Sequence, residues 1–148
     1  MNLEEKIIRD IKASMLAKDI LKLEVCRSIK SAIILAKSEK GFVSIDNKKE
    51  VEILQKLYKQ RREAYEIYLS QKRIDLAEHE DAQSKIIATY LPKQYSLKEL
   101  EILINDVMRE NDLRTKKDMG RLMSIIIQRA KGRADGKTIS SILSKLLN

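Results

Sequence analysis

A chain of 148 residues with 30 Lys/Arg against 22 Asp/Glu carries a formal charge of +8. It is 43% apolar and 35% charged, with four glycines, one proline and no tryptophan, which leaves little material for a turn-rich β-sandwich and points to an all-α fold. The single cysteine, Cys26, excludes an internal disulfide and a cysteine metal cluster, and no segment approaches the roughly 20 uninterrupted apolar residues of a membrane span.

Leu3, Ile7, Ile11 and Met15 recur every four residues and predict a first amphipathic helix. Glu4, Glu5, Lys6, Arg9 and Asp10 interrupt that stretch, so no signal peptide is expected and the predicted location is cytoplasmic. Asp19 is placed to cap a second helix that carries Leu21, Val25, Ile29, Ala32 and Ala36 and ends near Lys40-Gly41. Cys26, beside Val25 and Ile29, reads as a small core residue. Asn47 and Glu50 have capping-box spacing at the start of a long third helix reaching about Ser70. A fourth starts at Asp75 and stops before Pro92, because proline drives Leu91 out of helical conformation.

Ser96 and Glu99 repeat the capping-box spacing ahead of a fifth helix with Leu100, Leu103, Ile104, Val107 and Met108. Thr115 and Asp118 open a sixth, with Met119, Leu122, Met123, Ile126 and Ala130 on one face. Asp135 caps a seventh bearing Ile139, Ile142, Leu143 and Leu146. Pro92 is the expected boundary. A bundle of long antiparallel helices occupies residues 1–92, and a small three-helix domain residues 93–148.

The turn between the last two helices, Lys131-Gly132-Arg133-Ala134-Asp135-Gly136-Lys137, gathers three cations and two glycines. Gly132 is a natural left-handed helix stop and Asp135 a natural N-cap, so two caps back to back account for those two residues. They do not account for Lys131, Arg133 and Lys137 crowding one corner. Free backbone amides flanked by Lys and Arg would suit a phosphate. An Asp135 cap occupies the best donors, however, and would leave a phosphate beside it. The charge is skewed the same way: residues 93–148 hold twelve cations and seven acids, net +5, against +3 for residues 1–92. That skew favours an anionic partner for the tail, although a basic average also serves solubility.

A second basic face is predicted on the third helix, where Lys56, Lys59, Arg61 and Arg62 cluster beside Tyr58, Tyr65 and Tyr68. Interleaved cations and aromatics can track a nucleic-acid strand; an ordinary amphipathic helix with half-buried tyrosines is the alternative. Arg61 falls on the apolar line of Ile53, Leu57, Ala64 and Tyr68, so it either extends outward along its stem or meets a carboxylate inside. His79, flanked by Glu78, Glu80 and Asp81, reads as part of a solvated face, since a metal site wants several convergent ligands. No metal or cofactor is expected. Phosphate-binding glycine loops and nucleophile elbows are absent from the sequence. Cys26 and His79 would meet as a dyad only by tertiary accident, so no catalytic residue is assigned.

The heptapeptide Lys131–Lys137, with Asp118-Met119-Gly120 upstream, resembles the signature of the GatB/YqeY family. Lys59-Gln60-Arg61-Arg62-Glu63 resembles that family's mid-chain basic helix, Asp75-Leu76-Ala77-Glu78 the turn after it, and Tyr90-Leu91-Pro92 with Gln94 its inter-domain hinge. The likeness runs from about Leu3 to Leu147 and is that of a stand-alone YqeY-type protein. It implies kinship with the helical and tail portions of the B subunit of glutamine-dependent aspartyl/glutamyl-tRNA amidotransferases, the portions that support tRNA recognition. It also brings the family label of carbon–nitrogen ligase with glutamine as amido-N-donor. The catalytic cradle of those enzymes has no counterpart among these residues.

The expected function is therefore that of a tRNA-binding accessory protein. Lys131, Arg133 and Lys137 would contact phosphates, and Gly132 and Gly136 would let backbone approach closely. The alternatives are an adaptor for an amidotransferase or another translation enzyme, anchored on Tyr58, Tyr65 and Tyr68, and the ligase of the family label.

Overall fold

The computed structural model describes residues 1–147. They are all helical, with no strand among them: α1 (Leu3–Ala17), α2 (Ile20–Lys37), α3 (Asn47–Ser70), α4 (Ile74–Ala88), α5 (Leu97–Asn111), a 3₁₀ turn (Lys116–Asp118), α6 (Met119–Ala130) and α7 (Gly136–Leu146). The chain divides into two compact units, Met1–Leu91 and Pro92–Asn148.

In the first unit α1 and α2 form an antiparallel hairpin, closed at its far end by the Lys37–Glu4 ion pair at 2.5 Å. Asn2 caps α1 by accepting from the Glu5 amide at 2.8 Å, and Asp19 caps α2 through the Lys22 amide at 3.2 Å. Leu3, Ile7, Val25, Cys26, Ile29, Ile33 and Ala36 meet Ile53, Leu54, Leu57 and Ile87 in one core. Met15 is the exception to the predicted stripe: it is exposed, and Ser14 turns inward in its place.

Two predicted boundaries move. Helix α2 ends at Lys37, three residues before the expected stop, and Gly41 takes its left-handed φ of 81° in the turn beyond. The N-cap of α3 is Asp46, which accepts from the Lys49 amide at 2.8 Å. Asn47 is already helical, and Glu50, released from a capping box, reaches the Leu3 amide at 2.6 Å. A carboxylate on α3 thus satisfies an orphan donor at the start of α1.

Helices α3 and α4 are joined by three residues and held together by arginines. Arg61 donates to Gln83 Oε1 at 3.1 Å and to Ser28 Oγ at 2.7 Å, so its inward partners are neutral rather than carboxylate. Gln83, itself buried, passes its amide on to Glu24 at 3.1 Å. Arg62 bonds Asp81 at 2.6 Å and lies over the Tyr65 ring at 4.4 Å. The hydrogen bonds from Lys85 and Arg62 hold the Asp81 carboxyl below the usual carboxylate range.

Four helices stop at a left-handed residue that is not glycine: Lys18, Lys72, Asp112 and Lys131, with φ of 57°, 59°, 52° and 49°. Around Lys72 the Arg73 amide reaches Tyr68 O at 2.8 Å and the Lys72 amide reaches Leu69 O at 3.0 Å, the paired bonds of a Schellman stop. A Cβ in this conformation costs energy that glycine avoids. Lys72→Gly is expected to stabilise the chain by about 0.5–1 kcal/mol, net of the entropy glycine adds to the unfolded state, as read from thermal melts.

In the second unit, Ser96 and Glu99 make both bonds of the predicted capping box, and α5 buries Leu100, Ile104, Val107 and Met108. These meet Leu122 and Ile126 of α6 and Ile139 and Leu143 of α7. At the chain's end Leu146 is exposed, and Leu147 turns into the core from an extended backbone. Thr115 and Asp118 cap the short 3₁₀ turn rather than α6 directly.

Candidate nucleic-acid interface

The corner between α6 and α7 is held against the segment that leads into α5. Helix α6 ends at Ala130, where the spacing placed its end, and Gly132 is left-handed at φ 81° as expected; Lys131 before it is left-handed too, at φ 49°. Past the turn, Asp135 accepts from the Thr138 amide at 2.7 Å, so its carboxylate is the cap of α7.

Arg133 is the fastener of this corner. Its carbonyl accepts from the Tyr95 amide at 2.8 Å, its Nε donates to Lys93 O at 2.8 Å, and its guanidinium lies 3.9 Å above the Tyr95 ring. Gln94 adds a bond from Nε2 to Gly132 O at 3.0 Å. Residues 93–95 thereby join the predicted heptapeptide in one surface. No local signal could have placed Lys93 there, 40 positions from Arg133. Tyr95 did carry one: it precedes the Ser96 cap, and Leu100 follows at hydrophobic-staple spacing.

The expectation of free backbone amides is overturned at two positions, and the Asp135 cap occupies a further donor as expected. The Lys131 amide bonds Ile127 O at 3.3 Å, the Arg133 amide bonds Ala130 O at 3.0 Å, and Asp135 takes that of Thr138. Charge on side chains, not a nest of amides, is what this corner offers an anion. Lys93, Lys131 and Lys137 are exposed and Arg133 is half-buried. Among the described residues none of the four is in an ion pair.

Six of the seven acids of this unit are occupied elsewhere. Asp106, Glu110 and Asp112 pair with Arg109, Arg129 and Arg114. Glu99, Asp118 and Asp135 serve as caps. The bonds to Ser96, with weaker help from Lys93 and Arg133, hold the Glu99 carboxyl below its ordinary range. The net charge in sequence therefore survives as lysines that form no ion pair among the described residues, because so many carboxylates are spent on backbone or on arginines.

Gly136 has room for a side chain: an added Cβ would come no closer than 4.0 Å, to the flexible Met123 Cε, and its φ is not left-handed. The fold does not need glycine there. Gly136→Ala is expected to leave thermal stability equal or higher. If ligand backbone approaches that position, the same variant lowers RNA affinity several-fold.

The four cations predicted on α3 do not share one surface. Lys56 and Lys59 are exposed, with Lys59 3.9 Å from Glu63, while Arg61 and Arg62 turn toward α2 and α4 as described. Tyr58, Tyr65 and Tyr68 are half-buried. Cys26 does not meet His79. Its thiol lies 3.4 Å from Tyr90 Oη, and burial pushes it up from the ordinary thiol range. His79 sits 3.2 Å from Gln83 Nε2 and 3.6 Å from Glu24. Among the described residues no three His, Cys, Asp or Glu side chains converge as a metal site would require, and no helix is long and apolar enough to cross a membrane.

A family model described as "Yqey-like protein" matches residues 4–147. The chain is also similar to "Altered inheritance of mitochondria protein 41, mitochondrial" of Vanderwaltozyma polyspora, 31% identical over 118 residues. That match takes in 75% of this chain and 63% of the relative, so the chain spans less than two thirds of the relative's length. With the family model matching from the first turn of α1 to the last buried leucine, the chain belongs to the YqeY-like family.

Proposed function

We propose that the chain is a tRNA-binding accessory protein and that RNA phosphates meet the corner formed by Lys131, Arg133 and Lys137. One observation carries this reading: Lys93, Lys131 and Lys137 surround an Arg133 that is already immobilised on Tyr95, with no acid paired to any of them among the described residues. A prefixed guanidinium loses little further freedom when it meets a phosphate. Asp135 fixes the turn and stays off the ligand, and Gly132 and Gly136 let the ligand's backbone come close. The family-level link to the amidotransferase B subunit gives tRNA as the RNA class, and a cytoplasmic location belongs to the same proposal.

The second reading is a protein adaptor. It is favoured by exposed apolar side chains on the α1–α2 hairpin, among them Met15, Leu16, Ile20 and Leu35. The carbon–nitrogen ligase of the family label has less support, since the buried thiol of Cys26 faces a tyrosine rather than a base. Recovery of the tagged chain from cells at low salt separates the first two readings. Co-purifying RNA of tRNA size, removed by nuclease, is the expected result. A protein partner retained after nuclease, with no RNA, would favour the adaptor.

A further inference from the structure

From Met119 to the end of the chain there is one acid, Asp135, and it is consumed as the cap of α7. Both helices of this hairpin are thus free of carboxylates, and their outer faces follow one design. On α6, exposed Arg121, Ser124 and Gln128 lead along one stripe to Lys131. On α7, exposed Lys137, Ser141 and Ser144 lead to Lys145. Each stripe carries a cation at either end and neutral hydroxyl or amide groups between, while Arg129 of α6 lies off its stripe and pairs with Glu110. The helices are antiparallel: Lys116 and Met119 share a shallow cleft with Ser144 and Leu147, which brings Lys145 to the Arg121 end.

We infer that these two tracks bind the sugar–phosphate backbone of double-helical RNA, extending the contact well beyond the Lys131–Lys137 corner. This rests on the RNA-binding reading above and specifies the ligand's form. Arg121 and Lys131 are about 15 Å apart along the axis at roughly 1.5 Å per residue. At about 3.4 Å per nucleotide of strand that distance covers four or five phosphates, which no mononucleotide or inorganic phosphate can span. Serine hydroxyls and a glutamine amide suit phosphate oxygens and 2′-hydroxyls. Single strands, by contrast, are held by aromatic platforms on which bases stack. The only aromatic residue in residues 92–148 is Tyr95, and Arg133 covers its ring. The surface is made for backbone and shape, not for splayed bases.

The test is fluorescence anisotropy of the 148-residue chain with a labelled RNA duplex of about 16 base pairs and with one of its strands alone, across salt. The variants are Arg121→Ala/Lys145→Ala, distal to the corner, and Lys131→Ala/Lys137→Ala within it, each checked for helicity by circular dichroism. The parent is expected to bind duplex at least about tenfold tighter than the strand, because contacts to a regular backbone dominate. The distal pair is expected to lose about 10–100-fold in duplex affinity near 0.1 M salt, with a salt dependence shallower by about two phosphate equivalents. A distal variant that binds duplex like the parent, or a strand bound as tightly as the duplex, would overturn this inference while leaving RNA binding at the corner intact. A folded parent that binds neither RNA would reject both.

Discussion

Tyr90→Phe is expected to destabilise the first unit by about 1.5–3 kcal/mol at neutral pH, the usual worth of a hydrogen bond to a charged group. The Tyr90 hydroxyl donates to Asp10 Oδ2 at 2.5 Å and sits 3.4 Å from Cys26 Sγ, so one atom ties α1, α2 and the end of α4 together. The Asp10 side chain is only 15% exposed and has Arg9 as its other partner. Removing the hydroxyl leaves a largely desolvated carboxylate with the weaker of its two contacts.

The pH dependence follows from the two shifts. Burial pushes the Asp10 carboxyl up, but the Tyr90 hydrogen bond and the contact with Arg9 together carry it below its ordinary value. Burial, with the bond to Asp10, raises Tyr90 well above the ordinary tyrosine value. A depressed acid stabilises above its unfolded value of about 3.9 and loses that contribution as pH falls through the folded one. A raised tyrosine contributes fully below about pH 10 and loses its contribution as pH rises toward the folded value. Urea titrations of parent and variant should therefore differ most between about pH 4 and pH 10 and converge in acid. A difference that grows below pH 4 would contradict the assignment.

The second large effect belongs to the corner. Near 0.1 M salt each phosphate contact is worth about a factor of ten through counterion release. Lys131→Ala/Arg133→Ala/Lys137→Ala is accordingly expected to weaken RNA binding by about 10²–10³-fold. Arg133 complicates a simple reading, because it also fastens residues 93–95. Lys131→Gly resolves this. It relieves a left-handed lysine at φ 49°, so the variant should be slightly more stable while binding RNA about tenfold less tightly. Affinity falling as stability rises would separate a ligand contact from a structural role.

The fold was largely legible because its helices announce themselves by spacing and caps. Ser96 with Glu99, Asp19 and Asp135 stand where the sequence placed them. The stops were less legible: Lys18, Lys72 and Asp112 end helices in a conformation that composition assigns to glycine. Asn47 was expected to cap α3 where its neighbour Asp46 does, and Glu50's partner lay 47 residues away in sequence. The candidate site divides similarly. Lys131, Arg133 and Lys137 are read from one heptapeptide, whereas Lys93 and Tyr95 reach it only through tertiary hydrogen bonds. On α3 the sequence shows four cations but not their directions, and the demand of a helix–helix interface for polar partners turned Arg61 and Arg62 inward.

The most direct measurement is a filter-binding titration of the chain against a mixed tRNA pool over a series of salt concentrations. Saturable binding is expected whose log affinity falls linearly with log salt, with a slope of about −3 or steeper, and a slope shallower by about three in the triple alanine variant. A folded parent that retains no tRNA at low salt, or one whose affinity is indifferent to salt, would contradict the proposed function.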